Sequence, residues 1–175
     1  MPFTDLLRTT VLITGAEATA LGAITAVAIG RDGDSTTLFV AVAWWLVASA
    51  IGFWLGRPRR AAEDMRDLLA RAKTATSLPS QSATRIAIGR LWPMALFAIA
   101  AGALGVFFPG VAAIGAGYAF LVSLAWHTRE AAVLAVEQRD GVKFYVVPSS
   151  ALRPLELVRT PGLRSEARRG RGSYV

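Results

Sequence analysis

Four stretches of the chain stay apolar long enough to cross a hydrocarbon core of ~30 Å, which takes roughly 20 helical residues. They run from about Thr9 to Gly30, Thr36 to Gly56, Leu91 to Phe108 and Val111 to Trp126. Surface helices of soluble domains keep a polar face, and these runs are apolar all round. Pro109-Gly110 punctuates the last two as a tight helical hairpin. The first two turn back across Arg31–Ser35. The pattern predicts an all-α integral membrane protein of four transmembrane helices in two hairpins, residues 1–57 and 91–127.

Between the hairpins lies a polar, basic loop, residues 58–90. Within it AAEDMRDLLARAK places Met65, Leu68, Leu69 and Ala72 at helical spacing. Glu63, Asp64 and Asp67 precede Arg71 and Lys73, which suits a helix macrodipole. A short amphipathic helix is expected there, against the membrane surface or the tail, followed by a loop over Ser77–Ser82.

Residues 128–162 read as a small tail domain. AAVLAVEQ, RDG and VKFYVVPSS suggest two strands around a turn at Asp140-Gly141. Val142, Phe144 and Val146 would share one face, with Lys143, Tyr145 and Val147 on the other. Leu155–Val158, between Pro154 and Pro161, reads as a third extended piece. The competing reading rests on the helix propensity of EAAVLAVEQ, which would prolong span four; the β-hairpin over residues 131–147 is the preferred of the two. Residues 163–175 are polar and basic, in the manner of a disordered C-terminus.

Charge then orients the bundle. Arg8 precedes span one, eight basic residues from Arg57 to Arg90 lie between spans two and three, and the tail adds Arg129 through Arg171. The two opposite connections contribute only Arg31. That asymmetry predicts both termini in the cytoplasm of a bacterial inner membrane. Trp54, Trp92 and Trp126 all fall at the inner ends of their spans, where indole rings anchor at the interface. Arg57, Arg59, Arg60, Arg90 and Arg129 are placed to touch anionic lipid headgroups. The net charge of +7 therefore belongs to a membrane surface, and no nucleic acid partner is needed to explain it.

Composition excludes several chemistries. In 175 residues there is no cysteine and a single histidine, His127, so disulfides, Cys-based zinc sites and a self-contained metal site are not expected. No P-loop, dinucleotide glycine pattern or metalloprotease motif occurs. No cofactor is implied, and the chain reads as non-enzymatic.

Glu17 is the one ionisable residue placed deep in the membrane, where an acidic group costs ~2.5–3.5 kcal/mol on insertion scales. Three readings stand beside one another: a proton- or cation-coupling site, a hydrogen bond that fixes helix packing, or a contact to another subunit. Ser49 and Tyr118 reach about the same depth, and at least one of these hydroxyls is expected near Glu17. Thr10, Thr14 and Thr25 join it in a mildly polar stripe. Arg8 and Ala26-Val27-Ala28 loosely imitate a cleavable signal peptide, but Glu17 within the apolar run argues against cleavage.

The stretch GAEATALG around Glu17 resembles the first helix of small multidrug-resistance transporters. The resemblance implies a homo-oligomer that uses this glutamate for coupling. The long basic loop and the tail depart from that family's compact pattern. Rows of small residues (Ala18, Gly22, Ala26 and Gly30; Ala48, Gly52 and Gly56; Ala101 and Gly105; Ala113 and Gly117) allow close helix approach, within the chain or between copies. Trp44-Trp45 lies too deep for an interface belt and is expected in packing. His127 is expected to be solvated or to face headgroups. Together these features favour an accessory subunit, scaffold or anchor that acts on a protein partner through its tail, with a Glu17-coupled transporter as the alternative.

Overall fold

The structure, a computed structural model, describes residues 1–33, 35–74, 83–149, 151 and 153–161. Six helices occur in chain order: α1 (Phe3–Asp32), α2 (Ser35–Leu55), α3 (Pro58–Ala70), α4 (Ala83–Gly105), α5 (Pro109–Trp126) and α6 (Arg129–Asp140). Three short strands accompany them: β1 (Lys73–Thr74), β2 (Val142–Val146) and β3 (Leu157–Pro161). Four helical runs are long and apolar enough to cross a membrane: α1, α2, α4, and α5 together with its continuation through His127-Thr128 into α6. The chain is a multi-pass membrane protein whose apolar helices contact the lipid bilayer.

All four spans start or end a few residues from the expected positions. The largest differences are at α4, which begins at Ala83 inside the expected loop, and at the fourth run, which continues past Trp126 to Asp140. Pro93 sits within this helix and has no N–H to offer the carbonyl four residues back.

The packing departs from two side-by-side hairpins. α5 is the central helix: α1 and α2 both pack chiefly on it, α4 touches both α1 and α5, and α1 meets α2 only slightly. The reason is its small-residue surface, with Ala112, Ala113, Gly115, Ala116, Gly117 and Ala119 all buried. Lipid tails are as apolar as side chains, so span association relies on close dispersion contact. At Gly56 the approach leaves no room for a Cβ, which would strike the Leu124 carbonyl oxygen. A Cβ on Gly52 would lie 2.9 Å from the Leu124 Cβ and 3.0 Å from the Leu121 carbonyl oxygen.

The tail corrects the sequence reading. Residues 129–140 form helix α6, so the β-hairpin around Asp140-Gly141 does not exist, and "all-α" gives way to mostly helical with a three-stranded sheet. The run is rich in Glu, Ala, Leu and Gln, good helix formers. Glu130 in the first turn and Arg139 in the last both favour the macrodipole. Gly141 then ends the helix in the left-handed region, at φ 65°. The expected alternation in β2 is present, with Phe144 and Val146 buried and Lys143 exposed.

β2 pairs antiparallel with β3, Phe144 opposite Arg159, and β1 pairs parallel with β3, giving the order β1-β3-β2. On the other side of β2 the chain start adds a bridge: Pro2 opposes Tyr145, and the Val146 N–H donates to the Met1 carbonyl at 3.0 Å. Large side chains bury between these pieces and the helix ends. Phe3, Leu7, Met65, Leu69, Ile86, Val133, Phe144, Val146 and Leu157 belong to one core. The chain start, the central segment and the tail therefore meet at the same end of the bundle and form one packed layer.

Candidate functional site

Inside the bundle the polar stripe of α1 is largely self-contained. The hydroxyls of Thr10, Thr14 and Thr25 donate to the carbonyls of Leu6, Thr10 and Leu21 at 2.8, 2.9 and 2.8 Å, each one turn back in the same helix. Such back-bonding satisfies a buried hydroxyl without offering it to a ligand. Glu17 is half-buried and has no hydrogen-bond or ion-pair partner among the described residues. It shares a face with Leu21 and Ile24, whose methyl groups would touch a Cβ placed on Gly102 of α4.

Neither Ser49 nor Tyr118 hydrogen-bonds Glu17 among the described residues. Tyr118 is exposed beside Trp44, with ring centroids 5.4 Å apart in an edge-on arrangement. Ser49 lies half-buried on α2, a helix that scarcely meets α1. The tryptophan pair itself bonds the bundle together. Trp45 Nε1 donates to the Ala113 carbonyl at 2.9 Å and Trp44 Nε1 to that of Ile114 at 3.3 Å. Both indoles thus grip one turn of α5, which accounts for their depth.

The anchors at the basic end are assembled with cations. The Arg60 guanidinium lies 3.7 Å from the Trp54 ring centroid and that of Arg129 lies 4.5 Å from the Trp126 ring. Trp92 is exposed, as are Arg57 and Arg59. His127 is exposed, with Nδ1 against the Leu124 carbonyl, and the Thr128 hydroxyl donates to the Gly56 carbonyl at 2.7 Å. The Thr128 bond ties the ends of α2 and α5 together just below the layer.

Where the layer meets the spans, α1, α3, the middle of α4, the end of α5 and the start of α6 leave a partly open cavity of about 180 Å³. Leu7, Leu68, Leu91, Met94 and Trp126 supply apolar walls, and Arg90 and Arg129 also line it. Arg90 Nη1 donates to Ser149 Oγ at 2.6 Å and Nη2 to the Arg153 carbonyl at 3.3 Å. Both partners are neutral. Arg129 Nη2 reaches Asp64 Oδ2 at 3.4 Å, but its Nε is buried with no hydrogen-bond partner among the described residues. Sequence reasoning singled out both arginines as surface cations; nothing in their spacing pointed to a shared cavity.

No protein-family model, curated protein or solved structure matches this chain.

Proposed function

We propose that this chain is a non-enzymatic membrane protein that acts through a protein partner, as an accessory subunit, scaffold or anchor. One observation carries the reading: the large buried side chains of the core at one end of the bundle join chain segments far apart in sequence into a single layer. The interior of the bundle, by contrast, packs on alanine, glycine and self-bonded threonines. A rigid layer held on an inert bundle suits recognition better than passage of a solute. The arginine distribution supports a bacterial inner membrane with this layer in the cytoplasm.

The sheet has two edges, and that of β2 is met by Met1 and Pro2. The β1 edge, Lys73–Thr74, is exposed and is where a partner strand would add. The test is purification from native membranes in mild detergent with mass determination of the intact assembly. A stoichiometric second polypeptide is expected with the full chain and should be lost when Arg139–Val175 is deleted. Associations that survive the deletion unchanged would refute this reading.

A second reading is favoured by Glu17 alone, a half-buried acid in the middle of a span with no partner among the described residues. In a proton- or cation-coupled homo-oligomer this carboxyl would be the coupling group, neutral or paired whenever it faces lipid. Glu17→Gln should then abolish proton-linked uptake into proteoliposomes while preserving assembly. Full activity in that variant would remove the reading.

A further inference from the structure

We propose that the cavity between α1, α3, α4 and α5 binds one anionic phospholipid of the surrounding bilayer, its phosphate accepting from Arg90 and Arg129 and an acyl segment entering the apolar space. Three observations converge on it. First, the half-buried Arg90 guanidinium has only a hydroxyl and a carbonyl as partners, and no carboxylate lies within ion-pairing distance among the described residues. A partly buried cation is costly without a counter-charge, and two of its five N–H donors are used. Second, Arg129 also lines this cavity: Asp64 occupies only its Nη2, and its buried Nε has no hydrogen-bond partner among the described residues. A phosphate in the cavity would supply the counter-charge that Arg90 lacks, through charge-assisted bonds to guanidinium donors not already used.

Third, the position selects the source of the phosphate. Leu91 and Met94 belong to a span, and Trp126, the last residue of α5, carries the Arg129 guanidinium over its ring as an interfacial indole would. The cavity therefore sits at headgroup depth. Apart from Thr10, Arg90 and Arg129 its lining is apolar, and its volume is about 180 Å³. A soluble anion would leave that space empty, whereas a lipid fills it with part of a chain. The site is independent of whether a protein partner binds the layer.

The experiment is native mass spectrometry of the full chain in mild detergent, titrated with phosphatidylglycerol or phosphatidylcholine, with inorganic phosphate as competitor. One phosphatidylglycerol should be retained per chain, at least about tenfold more tightly than phosphatidylcholine, and inorganic phosphate should not displace it. Arg90→Gln should weaken retention by at least about tenfold, and Met94→Trp, which fills the cavity, should do so without removing a charge. Arg66→Gln, an exposed arginine of α3, should change nothing. Circular dichroism and melting of each variant monitor the fold. Equal retention of the two lipids, displacement by phosphate alone, or an equal effect of Arg66→Gln would each overturn the proposal. Should Arg90→Gln misfold, the lipid comparison on the unaltered chain and Met94→Trp decide it.

Discussion

Phe144→Ala tests whether the extramembrane layer is one cooperative unit. The ring is 3% exposed and packs in the core that also holds Phe3, Val133, Val146 and Leu157. Its backbone is held separately, the N–H donating to Glu137 Oε1 at 3.0 Å, so truncation removes packing and little else. Emptying a buried Phe site costs about 3–5 kcal/mol, transfer and cavity contributions together. A layer of this size, below roughly 70–80 residues, gains only about 3–5 kcal/mol from its core. The two magnitudes are equal, so the layer should open locally while the bundle remains. Hydrogen exchange read by mass spectrometry, on protein in nanodiscs, measures this directly. Protection in β2 and β3, and at the adjoining Val147 N–H that donates to the Glu156 carbonyl, should fall by about two to four orders of magnitude. Amides of α5 should be unchanged. Equal loss in α5, or no loss in the sheet, would refute the view that this core stabilises the layer apart from the spans.

Other perturbations address the bundle. Gly56→Val forces a side chain against the Leu124 carbonyl, backbone that cannot rotate away, and should cost at least about 1–3 kcal/mol in thermal unfolding followed by tryptophan fluorescence. Trp45→Phe keeps the ring but loses the donor to Ala113, and should lower stability in the same assay by about 0.5–2 kcal/mol. Thr14→Val should be close to neutral, within about 1 kcal/mol, because the lost hydroxyl bonds only to its own helix; a large loss, or a transport defect, would show that the threonine stripe serves something beyond α1.

The four spans were legible from the chain because the bilayer acts on each one separately. A segment either satisfies its backbone internally and presents apolar side chains for roughly 20 residues or it does not cross, and that condition is local. The amphipathic α3 was equally legible: Met65 and Leu69 lie one turn apart and both are buried. The alternation in β2 also survived, since Phe144 and Val146 need only one apolar side to pack against.

Tertiary structure decided what two distant segments do together. EAAVLAVEQ has an apolar pattern that a strand or a helix can use. It became helical because α5 delivers it already wound, Val133 alone needs deep burial, and β3, a more distant segment, takes the place beside β2. Trp44 and Trp45 found their acceptors on α5, a helix about seventy residues away, and no spacing rule relates them. Arg90 and Arg129 share a cavity for the same reason. Positive charge near a membrane surface is a local property, whereas a space between several helices exists only after the small faces of α5 have set how closely its neighbours approach.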